Sequence, residues 1–396
     1  MAGRIVVPRA ITDTDLYKIT MGEAVFRLFP DTNVGYQFHN RGKTSFPIGF
    51  ADSLRKSVEA MADLRCTREE LNFLSRACPF LNAAYLDWFG NYRFNPGEVL
   101  IEQEGGDLRI SIVGPMYRTI FWETPLMAVI SQLYFEMIGL QPQPGWQKKA
   151  GEKGRRLREA GATFTDFGTR RRFSFAVQDE VINALVAMAI PAKDGGVFNG
   201  TSNVYLAMKY GLTPIGTVAH EWFMLHAALF GYESATCLAL KNWAEVFQGR
   251  LGIALSDTFT TPVFLRDFDY FFTKLFDGIR QDSGDPFEIL EMIINHYREL
   301  KVDPLTKTFV PSDNLDVDLY LRIFVQCRGR IKCSAGIGTN LTNNVGFKPL
   351  NMVIKLDSVV LKDGRIRRAV KLSDQPGKET GDPKEIAIAK NRLGIE

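Results

Sequence analysis

Between about Gly145 and Ser334 short apolar runs alternate with helical patterns, and this alternation restricts the fold more than any other feature. The runs are Thr163 to Phe167, Gly196 to Phe198, Ile215 to Ala219, Leu251 to Leu255, Gly278 to Gln281, Lys307 to Val310 and Arg330 to Ser334. A basic helix, Gln147 to Glu159, precedes the first run. Helical patterns over Asp179 to Ala189, Ser202 to Tyr210, Glu221 to Phe230, Ala235 to Phe247, Phe264 to Phe276, Phe287 to Leu300 and Asp316 to Cys327 follow the runs in turn. A strand that returns through a helix lies parallel to its predecessor, so the expected form is a closed or nearly closed α/β barrel. No internal repeat is found within it.

The flanks have a different rhythm. Thr12 to Asp15 offers helix N-caps ahead of Leu16 to Met21, and Pro30 ends that helix. Asn33 to Arg41 alternates Val34, Tyr36 and Phe38 with polar or small residues, as a half-buried strand does. Thr67 with Glu70 forms a capping box, Val99 to Val113 a hairpin around Gly105-Gly106, and Thr124-Pro125 opens a helix through Ile138. Met352 to Leu361 and Arg365 to Leu372 form a second hairpin, and a charged helix starts near Pro383. The expectation is an α+β domain built from both ends, residues 1–144 with 350–396, and an α/β barrel domain, residues 145–349, that carries the active site.

Polar residues gather after the runs: Asp166 to Arg172, Asn199 to Asn203, Gly216-Thr217 with His220, Ser256-Asp257-Thr258, Arg280 to Asp285, Ser312-Asp313-Asn314 and Gly336 to Asn340. Parallel strands bring all of these to one rim, where α/β folds bind ligands. Arg170 and Arg280 suit bidentate recognition of carboxylate or phosphate, although the Arg170–Arg172 run equally fits a solvated face. Asp257, Asp282 and Asp313 fit ribose hydroxyls or, through water, Mg2+ riding on substrate phosphates; each fits a helix cap too. Gly336-Ile337-Gly338-Thr339 resembles a phosphate cradle without the third glycine of a dinucleotide fingerprint. His220 stands where a strand ends and a helix begins; taken alone it also fits a loop histidine. Tyr17 and Phe167, taken alone, fit the core.

Composition removes other classes. A net charge of +3 over 396 residues gives no ground for wholesale binding to nucleic acid or membrane. Five cysteines without a CxxC spacing argue against a disulfide framework or zinc site and for a reducing compartment. Met116 to Leu140 carries Arg118, Glu123 and Glu136 and is too polar to span a bilayer. The N-terminal residues lack a signal pattern. A soluble cytoplasmic protein is expected.

The motifs Asp13-Thr14-Asp15-Leu16-Tyr17-Lys18, Phe167-Gly168-Thr169-Arg170-Arg171, Gly200-Thr201-Ser202-Asn203, Gly216 to Glu221, Arg280 to Asp285 and Gly336 to Thr339 together resemble the nicotinate phosphoribosyltransferase family over nearly the whole chain. The resemblance implies an incomplete α/β barrel joined to a domain from both chain ends. It implies transfer of the phosphoribosyl group of phosphoribosyl pyrophosphate (PRPP) to nicotinate, coupled to ATP hydrolysis, with Mg2+ and with no direct protein ligands to the metal. By resemblance His220 is the phosphorylated histidine, and Tyr17 and Phe167 sandwich the pyridine. Arg280 and Thr217 contact nicotinate, with Arg170 nearby, and the Thr201-Ser202 pair lines the site. Asp282 and Asp313 flank ribose and pyrophosphate, and Gly336, Gly338 and Thr339 hold the 5-phosphate. A homodimer is implied, Tyr17 reaching a neighbouring chain's site. Relatives that use nicotinamide carry Asp at the position of Ser202, so Ser202 favours the acid. Ala335 replaces a bulkier aromatic of many relatives.

Three alternatives stay open from the residues. Quinolinate or nicotinamide could be the acceptor. A Schiff-base aldolase would use Lys332, and a nucleotide-sensing protein would keep the site without turnover.

Overall fold

The computed structural model describes residues 4–187 and 196–395. Two compact units form: one runs to Gly216 and includes Ile337–Lys355, the other comprises Thr217–Gly336 and 356 onward.

In the first unit the helix Leu16–Leu28 is buried from Leu16 through Val25, Lys18 and Glu23 included. It ends before Pro30, as its sequence requires. Its start departs from expectation: Asp15 occupies the cap position but makes no side-chain cap bond. Its carboxylate, like that of Asp13, is held by tertiary partners instead. Strands β1 (Asn33–His39), β2 (Val99–Glu104) and β3 (Asp107–Pro115) form an antiparallel ladder with β3 central, Tyr36 opposite Ile112 and Val99 opposite Ile112. Val34, Tyr36 and Phe38 face the core, as period-two alternation demands.

Gly22 is required within its helix, because a Cβ there would come 2.7 Å from Tyr85 Oη. The space lets that hydroxyl donate to Ile19 O at 2.8 Å inside a cluster of aromatic rings. The capping box forms with both halves: Thr67 Oγ1 accepts from Glu70 N, and Glu70 accepts from Thr67 N. Glu70 also accepts from the Thr12 hydroxyl, tying the cap to the segment before the first helix.

Two parallel strands, β4 (Thr163–Asp166) and β5 (Phe198–Thr201), end with Asp166 beside Thr201. The helix between them, Phe175–Ala187, starts four residues before the expected Asp179, and the expected end at Ala189 lies outside the described residues. The expected strand Ile215–Ala219 does not form. Pro214 makes an isolated parallel bridge to Thr201, and the chain then runs irregularly to His220. Proline brings no N–H to a ladder, and Gly216 is pressed onto the helix start, a Cβ there lying 3.1 Å from Tyr17 N.

In the second unit β6 (Ile253–Leu255), β7 (Gly278–Gln281), β8 (Thr308–Pro311) and β9 (Lys332–Ile337) pair in sequence order, all parallel. Gly278 is fixed by this ladder, since a Cβ would meet Thr308 O at 2.0 Å. The single helix expected over Phe264 to Phe276 is two, Thr261–Asp267 and Tyr270–Leu275. Asp269 breaks it by capping the second, accepting from Phe272 N at 3.1 Å. Helices His220–Phe230 and Tyr232–Phe247 pack through Trp222 and Trp243, with ring centroids 5.8 Å apart. Strands β10 (Val353–Val360) and β11 (Ile366–Arg368) form the expected hairpin, Ser358 opposite Arg368. Parallel strands with crossover helices beside antiparallel α+β elements, without a closed barrel, are the fold class read from the sequence. No described helix is long and apolar enough to cross a membrane.

Thr67→Ala removes one half of the capping box and loosens the grip of Glu70 on Thr12. It should cost about 1 kcal/mol, read as a lower midpoint in urea denaturation without change of slope.

Candidate functional site

In the second unit the parallel strands deliver the acidic residues as their order predicts. Asp257 follows β6, Asp282 follows β7 and Asp313 follows β8, within two residues of each strand end. Asp282 Oδ2 lies 3.0 Å from His220 Nε2, and Thr258 Oγ1 lies 3.0 Å from Nδ1. His220 is the first residue of its helix and is buried. Asp257 is fully buried behind them, its Oδ1 3.9 Å from His220 Nε2. Its Oδ2 accepts from Ser283 Oγ at 2.6 Å and from Lys371 Nζ at 3.2 Å. Burial acts to raise both acids, but the His220 bond and the Arg280 charge hold Asp282 well below the usual carboxylate range. The charges of His220 and Lys371 lower Asp257 in the same way. Desolvation lowers His226, the other buried histidine of this unit, to about 4, so it is a neutral core residue.

One imidazole nitrogen and two carboxylate oxygens, from His220, Asp257 and Asp282, lie within 4.8 Å of one another. That donor set can ligate a divalent transition metal. Lys371 Nζ already supplies a cation to Asp257, which lowers the demand for a second. Asp313, raised by burial, accepts from Lys378 Nζ at 2.8 Å and from Asn314 Nδ2. Thr217 Oγ1 donates to Ile253 O at 2.9 Å. Arg280 Nε, at the end of β7, is a buried donor that meets no acceptor among the described residues. A buried guanidinium N–H in that state is a standing site for an anion. Lys332 lies exposed at the start of β9, which removes the inward-facing lysine that an aldolase reading needs.

The first unit carries the other expected residues. Tyr17 is buried, its hydroxyl 3.4 Å from Thr124 Oγ1, and its ring centroid lies 5.8 Å from Arg170 Cζ of the same chain. Arg170 is aimed by Glu123 at 3.3 Å, and Glu123 also pairs with the wholly buried Lys18 at 2.5 Å. Burial would raise Glu123, but Lys18 and Arg170 outweigh it and bring it down to about 2. Phe167 is half-buried between fully buried neighbours, its N–H donating to Ile337 O at 2.8 Å. Gly168 must be glycine, since a Cβ would sit 2.2 Å from Thr342 Oγ1, which donates to Gly168 O. Gly338 lies under less restraint: a Cβ there would be 3.5 Å from Phe167 O. Gly338-Thr339 opens a one-turn helix here, whereas Gly336, buried within β9, belongs to the second unit.

Thr201 and Ser202 are committed inward. Thr201 Oγ1 donates to Asp166 and Ser202 Oγ to Asp15, each at 2.7 Å. Arg172 is neither a solvated charge nor an exposed anion clamp. It is buried and grips Asp13 at 2.7 and 2.8 Å, while Asn203 donates to the same carboxylate. Burial acts to raise Asp13, but the charge and hydrogen bond of Arg172, with Asn203 and the Arg9 N–H, together hold it below its ordinary value. Asp166, bonded only to neutral donors, is pushed up to about 6 by burial. Asp166 and Thr258 stand in the strand-end runs read from the sequence, but Lys18 and Glu123 here and Lys371 in the other unit were given no role by it. The partners of Lys18, Glu123 and Lys371 lie from tens to just over a hundred residues away, and no local spacing marks them.

The chain matches the Nicotinate phosphoribosyltransferase (NAPRTase) family over residues 162–396 and that family's N-terminal domain over residues 12–131. It is 47% identical to the nicotinate phosphoribosyltransferase of Desulforapulum autotrophicum, covering 96% of this chain and 97% of that one. It is 46% identical to that of Chromohalobacter salexigens, covering 98% of each. The crystal structure of the Porphyromonas gingivalis nicotinate phosphoribosyltransferase superposes with a TM-score of 0.94 at 44% identity, covering 98% of this chain and 100% of that one. Strand-end acids, a buried histidine and these likenesses define the class, an enzyme that transfers phosphoribosyl groups. Within it, the chain belongs to the nicotinate phosphoribosyltransferase family.

Glu123→Gln removes the counter-ion of Lys18 and the guide of Arg170. The expected loss is about 3–5 kcal/mol in chemical denaturation, with a higher KM for the anionic pyridine. Because the folded value of Glu123 lies below its unfolded value, the wild type holds this stability above about pH 4.5 and loses it as pH falls towards about 2. The variant's stability should be flatter over that window.

Proposed function

We propose that the enzyme transfers the phosphoribosyl group of PRPP to nicotinate, coupled to ATP hydrolysis through a phosphohistidine at His220. The observation that carries this reading is the clamp on the imidazole, Thr258 at Nδ1 and the ionised Asp282 at Nε2. In the neutral imidazole the carboxylate beside Nε2 keeps the proton there, leaving the lone pair on Nδ1, to which the Thr258 hydroxyl donates until the γ-phosphoryl group takes its place. As the Nδ1–phosphorus bond forms, the bond from the γ-phosphorus to the β-phosphate oxygen breaks and ADP departs. The proton stays on Nε2, where Asp282 steadies the positive charge that develops.

In the transfer step the pyridine nitrogen attacks the ribose anomeric carbon and pyrophosphate leaves. Positioning and charge stabilisation do most of this work. Arg280, with its unfilled buried donor, and Arg170, aimed by Glu123, supply positive charge for the pyridine carboxylate and for phosphate. The face of Phe167 and the ring of Tyr17 supply stacking surface. Asp282 and Asp313 would face Mg2+ carried on the substrate phosphates, which would neutralise charge on the leaving pyrophosphate. Tyr17 packs beside Arg170 of its own chain; in the proposed cytoplasmic homodimer, as the family resemblance implies, the Tyr17 segment reaches a neighbouring chain's site. Ser202 favours nicotinate over nicotinamide; its bond to Asp15 means that an aspartate there would face a second carboxylate.

Incubation with γ-labelled ATP should place one label on His220, lost in His220→Ala together with the ATP stimulation of nicotinate mononucleotide formation. Full ATP-stimulated turnover in His220→Ala would overturn the assignment.

A further inference from the structure

Thr260 has φ +75° and ψ 146°, a backbone conformation natural only to glycine, and it is a β-branched residue. It lies two residues from Thr258, whose hydroxyl meets His220 Nδ1. A β-branched residue persists in such a conformation only where its surroundings over-determine the backbone. The restraint comes from Asp374, more than a hundred residues later. Its Oδ1 accepts from Thr261 N and its Oδ2 from Thr261 Oγ1, each at 2.6 Å. Thr261 Oγ1 in turn lies 2.8 Å from Ser256 Oγ, closing the loop from its far side. Leu372 N donates to Thr258 O at 2.8 Å, and Asp374 N donates to Ser283 Oγ at 3.1 Å. Ser283 is the residue that donates to Asp257, behind the imidazole. Gly284, with φ +80°, makes room: a Cβ there would lie 2.9 Å from Asp374 Cβ. The segment 372–374 thus touches both loops that hold His220.

The geometry points to Asp374 as a positioning residue that holds the strained Thr260 turn and so keeps the Thr258 hydroxyl on His220 Nδ1. This rests on the reading of His220 as the phosphoryl acceptor. Asp374 touches no reacting atom; it acts through Thr261 and Thr258.

The test uses the full-length enzyme with nicotinate, PRPP and Mg-ATP, comparing Asp374→Ala, Asp374→Asn, Thr260→Gly and the double variant Thr260→Gly/Asp374→Ala. Four histidines make ring signals of 15N-histidine-labelled protein assignable by Ala substitution. In Asp374→Ala the His220 Nδ1 signal should shift, and labelling of His220 by γ-labelled ATP should slow about tenfold, within the range a released backbone outlier carries. KM for nicotinate should stay within about twofold, since no substrate contact is removed. Asp374→Asn keeps one acceptor oxygen for Thr261 N and should fall between. Adding Thr260→Gly, which relaxes the turn without the clamp, should restore most of the rate to Asp374→Ala.

Unchanged His220 ring signals in folded Asp374→Ala, or no recovery in the folded double variant, overturn the proposal. Should Asp374→Ala fail to fold, Asp374→Asn decides it: shifted ring signals support the role and wild-type signals overturn it. Absence of any label on the wild-type enzyme would remove the phosphohistidine reading, and the ring signals alone would then decide the positioning role.

Discussion

A carboxylate can stay ionised inside a protein only where a cation or a set of donors meets it, and this constraint shapes both units. Asp13 is met by the two arms of Arg172, Glu123 by Lys18 and Arg170, and Asp257 by Lys371 with Ser283. Where only neutral donors are present, as at Asp166, the acid is pushed up instead. Each pairing joins segments remote in the chain, so charge neutralisation and tertiary folding are one event. Removal of one partner therefore costs more than the pair contributes, because the remaining charge is left in a medium that cannot solvate it.

The same constraint separates an enclosed acid from a partly open one. Asp257 is fully enclosed, while the Asp282 side chain keeps 30% of its surface exposed and stands directly against the imidazole. His226 and His220 make a parallel contrast. The first accepts its place as a neutral core residue bonded to Trp222 O and Asn242. The second is held between a hydroxyl and a carboxylate, an arrangement that fixes ring orientation and proton position together.

What could be read from the chain follows from range. Strand-helix alternation, the Gly105-Gly106 hairpin and the Thr67–Glu70 box are local, and they appear where their patterns lie. The acids after β6, β7 and β8 were legible because parallel order puts strand ends together. Local signals misled where a tertiary partner took the residue. Asp15 looks like a cap and is bonded by Ser202; Arg172 sits in a charged run and is buried by Asp13. Ile215 to Ala219 has the composition of a strand, but composition does not reveal that Gly216 is pressed against the first helix. Lys371 and Asp374 had no local mark at all, since their meaning lies in residues near 257 and 261.

The closeness of Gly284 to Asp374, beside the unusual torsion of Thr260, binds three scattered positions into a single heritable trait. A lineage that loses the acid gains from glycine at 260, and one that keeps the acid cannot enlarge 284. Substitutions at these three positions should therefore act on stability together rather than independently.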